Sequence, residues 1–408
     1  NRRLQLGPQD RCLAVCQQRP ALRRNRLRRA QRERQLAPDS RRDLDIALEP
    51  ELGVVSVRTR PAGADVLVNG EVRGTTPVDL ELMTVAQDIL VRLPGYADAG
   101  ETVTPIEGYP LELDYELEML DAVTGDGYSR LLTTTLGQRL RLIPAGRFQM
   151  GSSRGDPERR LNEVLRNVEL TRAFYLAETE MTNAEFRHCD PEHDSGVFED
   201  ESLNGDLQPV VNVDVQDVYR CLNQLSIEDG LQPVYIEEDG RLVPTRPFRN
   251  GYRLPTEAEF AWAARVAGRG EGAEPLRFSW SDQSEMLPDR FTNIADQTAE
   301  NVLPSVIVTY VDGFPVSAPV GSFSANAAGL FDMDGNVAEW VQDYYDPQNG
   351  STGEPVLTDP LGPEIGRSNV VRGASWRSAS QRQIRLSYRD YEDDARDDLG
   401  FRIARSLE

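Results

Sequence analysis

Gly329-Leu330-Phe331-Asp332-Met333-Asp334-Gly335-Asn336-Val337-Ala338-Glu339-Trp340 is the densest polar signal in the sequence. Asp332, Asp334, Asn336 and Glu339 set hard oxygen donors around a glycine, a pattern suited to calcium, which takes six to eight oxygens and accepts backbone carbonyls. The run is not an EF-hand, because it is too short and lacks that motif's glutamate at position twelve. Taken alone, the same residues equally suit a polar turn capped by its own aspartates. The neighbouring segments decide.

Upstream lie Leu142-Ile143-Pro144-Ala145-Gly146-Arg147-Phe148-Gln149-Met150-Gly151, Glu180-Met181-Thr182-Asn183-Ala184-Glu185-Phe186 and Gly251-Tyr252-Arg253-Leu254-Pro255-Thr256-Glu257-Ala258-Glu259-Phe260. Downstream lie Val371-Arg372-Gly373-Ala374-Ser375-Trp376 and Leu399-Gly400-Phe401-Arg402. Thr182 with Glu185, and Thr256 with Glu259, match the capping box, in which hydroxyl and carboxylate satisfy otherwise orphan helix amides. A third helix is expected after Asp214, with Val218, Cys221, Leu222 and Leu225 at core spacing. That spacing reads Cys221 as a buried small hydrophobe rather than a reactive thiol. The six segments, in this order, resemble the formylglycine-generating enzyme family. The resemblance implies an α+β domain over residues 131–408: a compact variant of the C-type lectin fold, with much irregular chain stabilised by bound calcium.

By the same resemblance, one calcium set is Asn293, the carbonyl of Ile294, Asp312 and the carbonyl of Phe314. The other is Asp332, the carbonyls of Gly335 and Val337, and Glu339. The family's catalytic positions differ. Oxidase members carry two cysteines just after the Arg-Gly-Gly-Ser-type motif, and soft thiolates are what Cu(I) requires. Here the stretch reads Ser375-Trp376-Arg377-Ser378-Ala379-Ser380-Gln381-Arg382, with Ser378 near the first cysteine's place. The sulfoxide-synthase branch draws iron from histidines on a separate helical domain, and this sequence has only His188 and His193. Those two with Cys189 read as a polar surface rather than a metal site. Copper-dependent oxidation is therefore not expected.

The family's substrate groove maps onto Trp376 to Asp398 and nearby loops. Candidate ligand-binding residues are Trp280, Trp376, Arg377, Ser378, Arg382, Tyr388, Arg389 and Tyr391. Arg385 and Arg396 add forked donors, and Asp390, Glu392, Asp393 and Asp394 add acceptors. The plainer reading is that several of these arginines pair internally with those acids to hold an irregular loop. Arg372 and Arg402, inside framework motifs, are read as structural.

Before this region the hydrophobic period changes. Val55 and Val57, Val66 and Val68, then Leu80 and Leu82, alternate with polar residues as half-buried strands do. Asn69-Gly70 between apolar runs reads as a tight hairpin turn. With Pro61-Ala62-Gly63-Ala64, Gly74-Thr75-Thr76-Pro77 and Pro94-Gly95-Tyr96, residues 53–120 resemble the PEGA domain, a small all-β module of surface and periplasmic proteins. It carries no clustered catalytic side chains and reads as a spacer or binding module.

The whole chain of 408 residues exceeds the span of one core. All 45 of its basic residues are arginine. Lysine chemistry, such as a Schiff base or a Walker-type phosphate loop, is thereby excluded. Residues 1–42 hold thirteen arginines against Asp10, Glu33 and Asp39, a local charge of +10 in a chain of net charge −22. Residues 1–52 thus form an arginine-rich arm and linker, helix-prone from Cys12 to Leu36, suited to an anionic membrane surface or an acidic partner. The acidic remainder argues against nucleic acid. No apolar run is long enough to span a membrane. The opening at Asn1 rather than methionine suggests an upstream signal peptide or anchor. Four cysteines are too few for a disulfide scaffold and leave the pairing of Cys189 and Cys221 open. Together these features lead us to expect a periplasmic or extracellular, non-catalytic, calcium-stabilised protein that binds a protein or glycan ligand. Two alternatives stay open: an enzyme of the same fold with a non-thiol active site, and a diversified or phage-type binder whose variable surface is Arg377 to Asp398.

Overall fold

The computed structural model describes residues 51–407 except 61, 94–95, 97, 118–127, 271, 281–286, 289–290 and 348–354. Upstream it describes only the short strands Arg3–Leu4 and Leu44–Asp45, which pair antiparallel. The expected helix over Cys12–Leu36, with Cys12 and Cys16, lies outside the described residues. The chain divides into two units, Asn1–Met119 and Leu120–Glu408.

Among its described residues the first unit is all β. Its strands are β1 Leu52–Arg60, β2 Asp65–Val68, β3 Glu71–Thr75, β4 Val78–Met83, β5 Gln87–Arg92, β6 Ala99–Val103 and β7 Leu111–Glu116. They form two sheets, β4-β1-β7 and β3-β2-β5-β6, with β1 antiparallel to β4 and parallel to β7. The period-two pattern sends Val55, Val57, Val66, Val68, Ile89, Val91 and Leu113 into one core. Asn69 (φ 51°) and Gly70 (φ 82°) are both left-handed, which is what a two-residue hairpin turn between Val68 and Glu71 demands.

The second unit is also mostly β, with few helices. One sheet joins Leu131–Thr133 (β8), Arg139–Ile143 (β9), Phe174–Ala177 (β12), Ala404–Ser406 (β23) and Tyr252–Arg253 (β17), in that order. A second sheet is Asp390–Glu392 (β21), Asn369–Arg372 (β20), Ala338–Tyr344 (β18) and Leu399–Gly400 (β22). A third joins Gly146–Met150 (β10), Arg166–Leu170 (β11) and Leu357–Thr358 (β19). Short hairpins are Val197–Phe198 (β13) with Glu201–Ser202 (β14), and Tyr235–Glu238 (β15) with Arg241–Pro244 (β16).

The three α-helices among the described residues begin as expected. Thr182 caps α1 Asn183–Phe186, Asp214 caps α2 Val215–Glu228 and Thr256 caps α3 Glu257–Arg265, each in a reciprocal capping box. α3 packs so tightly on β10 that a methyl group on Gly146 would stand 2.5 Å from the Trp262 ring. Val218, Leu222 and Leu225 of α2 face the main core. Cys221 is buried with them, but it is not merely a small apolar residue: it is disulfide-bonded to Cys189.

Candidate functional site

Strand β18 carries the polar run into the second sheet and sets Glu339 beside Arg372 on β20 and Gly400 on β22. Arg402 folds back onto it. Its Nε donates to Glu339 Oε2 and its Nη2 to Oε1, each at 2.7 Å, and its other hydrogens reach the carbonyls of Ala177, Glu178 and Phe331. This buried fork fixes both side chains. Two more buried carboxylates stand close. Glu180 accepts from Asn336 Nδ2 at 3.3 Å and from the Val337 amide at 3.4 Å, and Asp332 Oδ2 accepts from the Gly321 amide at 2.7 Å. Three carboxylates thus share one guanidinium. Burial, reinforced by the Asp332 charge, holds Glu180 well above the usual carboxylate range, and burial pushes Asp332 up to about 6. Nothing in its own segment marks Glu180 as part of this group, because its partner Asn336 lies 156 residues away.

The residues expected to form the other calcium set meet the same run, the Asn336 amide donating to the Asn293 carbonyl at 2.8 Å. Asn293 donates through Nδ2 to the Val316 carbonyl at 2.8 Å, while Asp312 accepts from the amides of Ile294 at 3.1 Å and Phe314 at 2.8 Å. Gly335 is required where the two meet: a Cβ there would lie 2.1 Å from Thr292 Oγ1 and 2.5 Å from the Asn293 carbonyl oxygen. Whether a cation suits these residues is tested by two oxygens. Asn293 Oδ1 and Asp332 Oδ1 are buried without a hydrogen-bond partner, although buried acceptors nearly always have one. Amide, carboxylate and carbonyl oxygens are the donors calcium takes, so the residues fit it. Among the described residues no three His, Cys, Asp or Glu side chains converge as a metal group, so a calcium ion would draw on amide and carbonyl oxygens as well.

The candidate ligand residues divide by burial. Trp376 is 1% exposed and meets the Phe198 ring edge-on, with centroids 5.0 Å apart. Ser378 is also buried, its hydroxyl accepting from the Ser375 amide at 3.0 Å. Arg389 forks onto Glu257 at 2.8 and 2.9 Å beneath the surface. Arg385, counted among the donors, forks onto Glu163 with both side chains fully buried. These four residues lie in the interior rather than on the surface: Trp376, Arg389 and Arg385 because each meets a partner far away in sequence that covers or neutralises it, and Ser378 because it turns back onto Ser375. Arg372 and Arg402 are structural as expected; Arg372 donates to the carbonyls of Leu386, Ser387 and Tyr388.

Arg377, Arg382, Tyr388, Tyr391 and Trp280 retain access to solvent. Arg377 lies over the Phe198 ring at 4.7 Å and pairs with Asp397 at 2.5 Å. Arg382 pairs with Glu158 at 2.9 Å. Tyr391 is 47% exposed and stacks on Tyr345, and Arg160 sits over the Tyr388 ring. Trp280 is half-buried and stacks on Phe278. Arg377, Arg396, Asp397 and Asp398 line a shallow depression of about 460 Å³ together with Ala395 and Asn212. Asn212 had no signal of its own; its left-handed φ of 59° comes from the loop that brings its amide to the Arg396 carbonyl. Tyr388, Tyr391 and Trp280 lie outside this depression.

The His188, Cys189 and His193 cluster does not converge on a metal. His188 Nε2 meets Glu228, Cys189 is disulfide-bonded, and His193 Nε2 meets the Val211 carbonyl.

A mostly β unit with capping-box helices and a buried Arg–Glu fork at its polar run has a clear family assignment. Residues 133–407 match the sulfatase-modifying factor enzyme 1-like domain, and the chain belongs to that family. Residues 52–121 match the PEGA domain. Among relatives, the formylglycine-generating enzyme of Thermomonospora curvata is 35% identical over 127 residues, 31% of this chain and 39% of that one. The Bos taurus enzyme is 28% identical over 260 residues, covering 57% and 64% of the two chains. The chaperone protein LppX of Paenibacillus barcinonensis is 26% identical over 228 residues, covering 52% and 74%. The chain thus spans less than two thirds of the length of these formylglycine-generating enzymes. In fold, it is similar to PvdO from Pseudomonas aeruginosa and to Treponema denticola variable protein 1, with TM-scores of 0.50 and 0.51 at 24% identity. Each covers 68% of this chain and nearly all of its own.

Proposed function

We propose that this protein is a non-catalytic recognition protein of the cell envelope or extracellular space, with a C-type-lectin-like, calcium-stabilised second unit that binds a protein or glycan ligand. The observation that carries this reading is the state of the family's catalytic position. Ser378 is buried with its hydroxyl held by the Ser375 amide, and no cysteine stands in Ser375 to Arg382. A hydroxyl cannot replace the thiolates that Cu(I) requires.

Asn293, Asp312, Asp332 and Glu339, with the carbonyls of Ile294, Phe314, Gly335 and Val337, would hold calcium. The ion would supply positive charge beside carboxylates that Arg402 alone does not balance. The ligand face narrows to Arg377, Arg382, Tyr388 and Tyr391 with the depression at Asn212 and Arg396. Partly exposed guanidinium and phenol groups favour a polypeptide over a sugar here. The PEGA domain and the Cys189–Cys221 disulfide support an oxidising, extracytoplasmic location, where disulfides persist. Among the described residues no helix is long and apolar enough to cross a membrane. Residues 1–42 would meet an anionic membrane or an acidic partner.

Pull-down and glycan-array measurements with the full chain, with and without calcium, test the reading. Arg377→Ala and Tyr391→Ala should each reduce ligand capture while leaving the melting curve unchanged. Unaltered capture, or a parallel loss of stability, would return both residues to the scaffold.

A further inference from the structure

The segment after α1 has no regular helix or strand and is held by side-chain tethers. Within residues 187–194, the amides of Cys189 and Asp190 reach the Phe186 carbonyl, and that of His193 reaches the Asp190 carbonyl. These bonds are all local. Asp190, Glu192 and Asp194 are exposed or nearly so, and no strand or helix includes them. Four longer tethers run from this stretch, one of them the partly buried contact of His193 Nε2 with the Val211 carbonyl. Arg187 reaches the Asn204 carbonyl in a partly buried contact, while its pairing with Asp206 and that of His188 Nε2 with Glu228 Oε2 at 2.7 Å lie at the surface, where such contacts are worth little. The covalent tether is the Cys189–Cys221 disulfide, which ties the segment to the buried face of α2.

The two sulfurs are not equally placed. Cys221 is 2% exposed, whereas Cys189 is only partly buried and lies at the rim of the core. Beyond Cys189 the segment leads into the loop behind the depression. His193 Nε2 meets the Val211 carbonyl at 3.0 Å, and the next residue, Asn212, lines the depression and donates its amide to the Arg396 carbonyl at 2.9 Å.

We propose that Cys189–Cys221 is a reversible redox clamp that sets the mobility of residues 187–194 and, through His193, of the Asn212 wall of the depression. The reductant is a dithiol. Its thiolate attacks Sγ of Cys189, the less buried of the two residues, and Cys221 leaves as a thiolate that takes up a proton. The second thiol then resolves the mixed disulfide, freeing Cys189. Two electrons pass from the dithiol, which ends as a disulfide, to the protein, which ends with two thiols. The core residues Leu203 and Val210 keep the flanking chain seated, so release is local. The proposal concerns the conformation of the loop and holds whether or not the depression binds a ligand.

Hydrogen exchange read by mass spectrometry tests it on the full chain carrying Cys12→Ser and Cys16→Ser, so that one disulfide responds. On addition of dithiothreitol, exchange in residues 187–194 should rise at least tenfold and rise measurably at 211–212, while Val218 to Leu225 of α2 stays protected. Further Cys189→Ala and Cys221→Ala substitutions should give the fast pattern without reductant. Equal exchange in both redox states, free thiols before reduction, or loss of protection throughout the second unit would each overturn the proposal.

Discussion

Glu257 is where buried positive charge converges. Arg389 forks onto it, Arg166 Nη2 stands 3.2 Å away and Arg372 Nη1 3.6 Å away. Burial alone would raise its pKa, but the three guanidinium groups outweigh burial and hold it at about 2. A depressed carboxylate contributes stability above its unfolded value of 4.5, which is lost as pH falls toward 2. Asp343 does the opposite. Burial, followed by the Glu257 charge, pushes it up to about 7, so its contribution is present below 3.8 and is lost as pH rises through 7. Each such group changes stability by about 1.4 kcal/mol per pH unit within its window. Asp343→Asn should therefore gain on the wild type as pH rises from 3.8 toward 7, in urea melts at matched ionic strength. A constant difference across that range would remove Asp343 from the account. Glu257→Gln leaves three buried arginines without their counter-charge and should cost about 3–5 kcal/mol.

At the scale of elements, the capping boxes make a sharp prediction. Thr256 caps the fully buried helix α3, so Thr256→Ala should lower stability by about 1 kcal/mol in chemical denaturation, with the ligand face unaffected. A neutral result would mean that tertiary packing alone fixes the helix start. The caps, the Asn69-Gly70 turn and the α2 core stripe were legible because each signal lies within a few residues of the geometry it sets. The candidate site was less legible for the converse reason. Arg389 and Glu257 are 132 residues apart, as are Arg385 and Glu163 by 222, so composition near Trp376 to Asp398 does not tell which guanidinium groups turn inward. Trp376 is buried because the β13–β14 hairpin brings Phe198 over it. The Cys189–Cys221 bond joins residues 32 apart in sequence, a pairing that neither cysteine's neighbours reveal.

At the scale of the whole molecule, calcium bound to the second unit as proposed would make stability depend on the ion. Free calcium at a hundred times its dissociation constant should add about 2.7 kcal/mol by mass action. Asn293→Ala and Asp312→Ala should each weaken that response, and a melting midpoint indifferent to chelator would contradict both sites. Membership of the family gives the fold of residues 133–407, whereas the reading of function rests on the buried serine where oxidase members carry a thiolate. The most direct measurement incubates the full chain, copper, oxygen and a thiol reductant with a cysteine-containing sulfatase-type peptide, and follows the peptide by mass spectrometry. The account predicts that the cysteine stays unmodified at every time point; appearance of the formylglycine aldehyde above the protein-free control would contradict it.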